Sequence, residues 1–227
     1  MKRRRSGFTL IELLVVIAII AILAILPFAD QENLQNLYDF NQYYTHPDNA
    51  DAINALVPIY ICPEMEMKRD IPEAACNEPG NVSSYGCSMG SSAFLSDGLF
   101  DGYGGFSRPR PVRFRDVKDG TSNTIMCGEF NMQLRDYLWS GFSCPPLAGQ
   151  IRWGSHRWAP GYPGVSLGHM TGDFNTNTAA NRLMWRSDHA GGAHFLIADG
   201  SARFVAESTD AGALRALATR HGRESSF

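Results

Sequence analysis

His194-Phe195-Leu196-Ile197-Ala198-Asp199-Gly200-Ser201-Ala202-Arg203-Phe204-Val205-Ala206 reads as two strands folded back on each other. Both arms are rich in β-branched and aromatic residues. Asp-Gly between them supplies the left-handed backbone that a tight hairpin requires. This commits the C-terminal part of the chain to antiparallel pairing. Downstream, Ser208 or Thr209 is expected to cap a final helix with Leu214 and Leu217 on one face, ending near His221-Gly222. Phe204 and that leucine face are read as core.

Upstream, Asp119-Gly120-Thr121-Ser122-Asn123-Thr124 leads into Ile125-Met126-Cys127-Gly128-Glu129. The reading is a tight Asp-Gly turn, side chains that bond nearby backbone, and then a strand. Ser84 to Ser88 is expected to be another strand, and Pro58-Ile59-Tyr60-Ile61-Cys62 a short buried one closed by Pro63. Residues 63–82 and 90–105 have loop composition. The span 139–175, with three of the four tryptophans, is expected to be a packed irregular insertion. Asp30 can cap a helical turn carrying Leu34, Leu37 and Tyr38, and a second short helix is expected within 49–57. The fold class is α+β: a head with an antiparallel β-sheet, long irregular loops and a C-terminal helix.

The opposite end of the chain has a different character. After the cations Lys2, Arg3, Arg4 and Arg5 comes Gly7-Phe8-Thr9-Leu10-Ile11-Glu12, and the apolar run continues to Ala29. Glu12 is the single charge among the 22 residues from Phe8 to Ala29. As a helix rising about 1.5 Å per residue, this length crosses a hydrocarbon core of roughly 30 Å. The cations hold its start in the cytoplasm and send the rest of the chain to the far side. A carboxylate inside such a span costs about 2.5–3.5 kcal/mol on insertion scales, so Glu12 needs a partner or a function. A secretory signal peptide is the competing reading, but the run is long, carries an acid, and has no clean small-x-small cleavage site.

Beyond Ala29 the chain has 198 residues, enough for one domain with a sizeable core. With the leader removed, 16 Lys+Arg face 23 Asp+Glu, and no basic stripe suggests nucleic acid as a partner. All five cysteines lie beyond the apolar run, in a compartment that permits disulfides. Local pairs are expected, with one thiol left over and the connectivity open.

The segment Gly7 to Glu12, with its basic leader and apolar tail, resembles the prepilin motif of type IV pilins and of type II secretion pseudopilins. The resemblance implies cleavage between Gly7 and Phe8 by prepilin peptidase, N-methylation of Phe8, and pairing of Glu12 with a neighbouring subunit's N-terminus to set assembly register. It gives the layout 1–7 leader, 8–29 transmembrane and assembly helix, and 30–227 head. The partners implied are prepilin peptidase and other pilin or pseudopilin subunits. The location implied is the inner membrane, single-pass, with the head in the periplasm or at the cell surface.

A second resemblance covers the head. From His189, nine residues precede Asp199-Gly200, and this H-x9-DG pattern resembles the C-terminal signature of a large pseudopilin-like family of unknown function. Ile61-Cys62-Pro63, Asp119 to Thr124, Glu129 and Leu26-Pro27-Phe28-Ala29-Asp30-Gln31 resemble its other signatures. The Ala- and Arg-rich amphipathic stretch that usually follows that family's apolar helix is missing here, so the resemblance is to a shortened form.

For chemistry, His189, His194, Asp188 and Asp199 are the metal-capable residues, with His156 and His169 near them in sequence. They are assigned to architecture instead: His189 bonding backbone near the turn, Asp199 shaping the hairpin. No cofactor is expected; zinc at these residues or calcium in the C-terminal loops is the alternative. Neither a Gly-x-Ser-x-Gly elbow nor a phosphate-binding Gly-x-x-x-x-Gly-Lys occurs. The expectation is a structural subunit and no enzyme, the alternative being a metal-dependent hydrolase or carbohydrate-binding head on a pilin-type anchor.

Overall fold

The structure, a computed structural model, describes residues 26–67, 72–92, 95, 97–100, 112–131, 133–153, 157–159 and 166–222. Gly7, Phe8, Glu12 and the apolar run through Ile25 lie outside these residues. Among the described residues no helix is long and apolar enough to cross a membrane.

The chain enters through a single 3-10 turn, Leu26–Ala29, followed by α1 (Glu32–Leu37) and α2 (Ala50–Asn54). Leu26 is buried with Leu34, Tyr38, Ile53 and Val57. Head packing therefore begins inside the segment expected to belong to the anchor. Asp30 does not cap α1; it takes a left-handed backbone at φ 55°, and Gln31 occupies the cap position.

Five strands form the main sheet: β1 (Tyr85–Gly90), β2 (Ile125–Glu129), β5 (Leu167–His169), β6 (Gly192–Ile197) and β7 (Ala202–Ala206), in the order β5-β1-β2-β6-β7. A separate ribbon pairs β3 (Gln133–Leu138) with β4 (Ile151–Trp153). The main sheet is antiparallel except where β5 runs parallel to β1, so the expected antiparallel sheet is in fact mixed. The span 139–175 is accordingly not wholly irregular, since it contributes β4 and β5. The final helix, α3 (Ala211–Ala218), is capped by Asp210, whose carboxylate accepts the N–H groups of Gly212 and Ala213 at 2.8 and 3.0 Å. The expected caps, Ser208 and Thr209, lie in the preceding turn.

The hairpin closes as its sequence demands. The Ile197 N–H donates to Ser201 O at 2.8 Å and the Gly200 N–H to Ile197 O at 2.9 Å, leaving a three-residue loop with Gly200 at φ 88°. Asp199 accepts from the Ser201 N–H and hydroxyl, which hold its carboxyl below its ordinary range. Pro58 to Cys62 is not a strand. Pro58 has no N–H to give a ladder and its fixed φ suits a tight turn, so Pro58–Tyr60 forms a 3-10 turn that delivers Cys62 to the core edge.

Alternation along the strands gives the sheet two faces. One face is lined by glycines: Gly86 opposite Gly128, with Gly168 on the neighbouring β5. The rings of Phe130, Trp185 and Phe195 lie on this floor, and α3 adds Leu214 and Ala218. A Cβ on Gly86 or Gly168 would sit 2.3 or 2.4 Å from Phe130, and one on Gly128 would sit 2.5 Å from Phe195. The other face carries Cys87, Met89 and Leu167, covered by α1, α2 and Trp158. Toward β6 and β7 that same face opens to solvent at Leu196 and Phe204, so Phe204, expected in the core, is instead half exposed on an edge strand that no described element covers there.

Candidate functional site

Glu129 ends β2 and is 4% exposed, on the face opposite Phe130. Its two oxygens are used differently. Oε2 accepts the His194 backbone N–H at 2.7 Å and lies 3.4 Å from His194 Nδ1. Oε1 faces His189 Nε2 at 3.2 Å and Cys62 Sγ at 3.7 Å. Cys62 Sγ is in turn 3.4 Å from His189 Nε2, which completes a triangle of sulfur, oxygen and nitrogen.

Each corner is held from outside the triangle. The Cys62 N–H donates to Ser84 Oγ at 2.8 Å, fixing the end of the Pro58–Tyr60 turn against the start of β1. The His189 N–H donates to Ser187 Oγ, and the His189 and His194 rings meet edge to face at 4.7 Å. Asn131 donates to Asp188, which also accepts the Glu66 N–H. Burial pushes the Cys62 thiol above its ordinary pKa, and the charge of Glu129 adds to that. Burial also raises Asp188. Behind the site, burial lowers Arg186 to about 9; its guanidinium lies over the Phe130 ring and donates to Met184 O.

The expected metal residues are thus redistributed. His189 and His194 do converge, and the His189 side chain meets Cys62 and Glu129 where it was expected to bond turn backbone. Asp199 is at the far, exposed tip of the hairpin. His169 lies on the edge strand β5, its Nδ1 accepting the Thr171 N–H at 3.0 Å. His156 is outside the described residues. Cys62 and Glu129 were missed as site residues, Cys62 being 127 positions from His189 and 67 from Glu129. The signal in the sequence is that the three motif segments holding Cys62, Glu129 and His189 each carry at least one metal-capable side chain.

The Asp119 to Thr124 segment is architectural. Gly120 adopts φ 90°, Thr124 Oγ1 donates to Gly120 O, and Asn123 Nδ2 donates to Asp119 O. The Asp119 carboxylate reaches the Thr219 hydroxyl and the Gly222 N–H just past α3. It therefore ties the last helix to the strand that ends at Glu129.

The cysteines depart from local pairing. Cys76 joins Cys144 across 68 residues, while Cys62, Cys87 and Cys127 are free. The disulfide sits with Trp139 and Leu147, and Trp139 Nε1 donates to the buried Glu78 at 3.2 Å.

A cysteine nucleophile fits the triangle poorly. A Cys-His-acid relay needs thiol and carboxylate on opposite ring nitrogens. Here both approach Nε2 of His189, an arrangement suited to sharing one positive centre.

Two families match this chain. The prokaryotic N-terminal methylation motif matches residues 2–26. The family described as protein of unknown function (DUF1559) matches residues 20–212, which include the whole sheet and the Cys62, Glu129 and His189 triangle. No curated protein and no solved structure is significantly similar. The chain is a pilin-like protein with a prepilin-type N-terminus, and it belongs to the DUF1559 family.

Proposed function

We propose that the chain is a structural, pseudopilin-like subunit. Prepilin peptidase cuts it after Gly7, Phe8 is methylated, and the apolar segment anchors it in the inner membrane and packs it against other pilin-type subunits in a secretion- or pilus-type filament. The observation that carries this reading is the continuity of the two matched regions: the methylation motif ends at residue 26, where Leu26 is already buried in the head. With Leu26 assigned to the head, 18 residues from Phe8 to Ile25 remain for the anchor, about 27 Å as a helix and still within the spanning range.

Two features of the head support the same placement. Phe28 is 90% exposed just beyond the anchor, an apolar ring that lipid or a neighbouring subunit would cover. The Cys76–Cys144 disulfide suits an oxidising compartment outside the cytoplasm. Glu12 then faces the N-terminal amine of a neighbour, so that opposite charges satisfy each other in low dielectric. Replacing Glu12 with Ala tests this. The variant is expected to remain in the membrane yet stop co-purifying with its partner subunits. Undiminished co-purification would remove the assembly role.

A further inference from the structure

We infer that Cys62, Glu129 and His189 form a binding site for one divalent cation of the zinc class. Zinc bonds of about 2.3 Å to sulfur and about 2.0–2.2 Å to nitrogen and oxygen, at tetrahedral angles, put the donor atoms about 3.3–3.7 Å apart. The observed edges are 3.2, 3.4 and 3.7 Å. The three donors already stand where a tetrahedral ion would hold them.

The donor chemistry fits the same class. One thiolate, one imidazole and one carboxylate favour a borderline metal over calcium or magnesium, which require oxygen ligands. Thiolate and carboxylate together offset the two positive charges, so the filled site is close to neutral. This matters because Cys62 and Glu129 are both buried.

The surroundings behave as supports for ligands. His194 holds Oε2 of Glu129 by its backbone N–H, which turns Oε1 toward the other two donors. Ser84 fixes the backbone of Cys62. The His189 side chain is 26% exposed, so solvent reaches this corner of the triangle, and a three-donor set leaves a fourth position for water or an exogenous ligand, as in zinc sites of that kind. A metal there would clip together the turn before β1, the end of β2 and the loop before β6.

The test uses the full-length chain in detergent, stripped with chelator and titrated with cobalt(II) and then zinc(II). One cobalt per chain with a thiolate charge-transfer band is expected, displaced by zinc. Cys62→Ser should abolish the band, and Glu129→Gln or His189→Ala should weaken binding at least tenfold, while Cys87→Ser leaves it unchanged. No band in the wild type, or an equal band in Cys62→Ser, overturns the site. Because a ligand variant can fail to fold, maleimide labelling of the wild type provides an independent reading. Zinc should slow modification of Cys62 at least tenfold and leave Cys127 unaffected; equal labelling with and without zinc means a hydrogen-bonded cluster only.

Discussion

The α3 face of the sheet and the Glu129 corner of its other face are built by opposite means. Under α3, strands β1, β2 and β5 present glycines and the space is filled by the rings of Phe130, Trp185 and Phe195. On the other face, residues of β2 and β6 include Cys127, Glu129 and His194, and what meets Glu129 is polar and paired. Glu129 and Phe130, adjacent in sequence, serve opposite sides. One face is specified by volume, where any added atom is felt. The Glu129 corner of the other face is specified by donor geometry, where identity matters more than size, while Cys87, Met89 and Leu167 on the same face pack into an apolar core.

The largest expected effect is on the volume face. Gly128→Ala should cost about 3 kcal/mol or more, since overpacking a rigid core forces ring and backbone to move. Gly128→Val should not yield a folded head. Cys127→Ala, one residue away on the other face, should cost about 1 kcal/mol, and urea unfolding of the two variants compares the faces directly. Equal losses would dissolve the distinction.

Removing the Cys76–Cys144 bridge comes next. Its loss from both positions to Ala should cost about 2–5 kcal/mol through the freed unfolded chain, read as a lower urea midpoint. Glu129→Ala should cost about 1–3 kcal/mol, because the part-buried His194 N–H loses its acceptor and the His189 and Cys62 side chains lose their shared carboxylate. A loss as large as that of Gly128→Ala would mean the Glu129 corner is as intolerant as the glycine-lined face.

The smallest effect is on pH dependence. Burial lowers His169 to about 4, and its Nδ1 is already an acceptor, so the folded chain holds it neutral. The unfolded chain takes up the proton near its ordinary value of about 6.5. Stability from this group is therefore complete above pH ~6.5 and is lost as pH falls toward about 4, on the order of 1–2 kcal/mol after solvent screening. Unfolding midpoints of wild type and His169→Gln across that window check it; parallel curves would show that His169 is not the group responsible.

Much of the fold is legible in the sequence because the chemistry that sets it is local. Asp199-Gly200 declares the hairpin, and the 119–124 turn declares the strand behind it, since each device acts within a few residues. Two local readings fail for equally local reasons: Asp210 outcompetes Ser208 and Thr209 as cap, and the Pro58 ring turns an expected strand into a 3-10 turn. What stays hidden is long-range. Cys76 finds Cys144, β5 adds a parallel edge, and Cys62 reaches His189 across 127 positions. No spacing rule spans such distances; only the folded sheet brings those side chains together. The His189 motif is visible, but its partners come from segments that look architectural.

The N-terminus we propose is trimmed, methylated and kept. Intact-mass and N-terminal peptide analysis of the protein from membranes of a host with prepilin peptidase measures it directly. The prediction is a chain beginning at N-methylated Phe8 with residues 8–29 retained. A soluble product beginning beyond Ala29, or a membrane-bound one still starting at Met1, would contradict it.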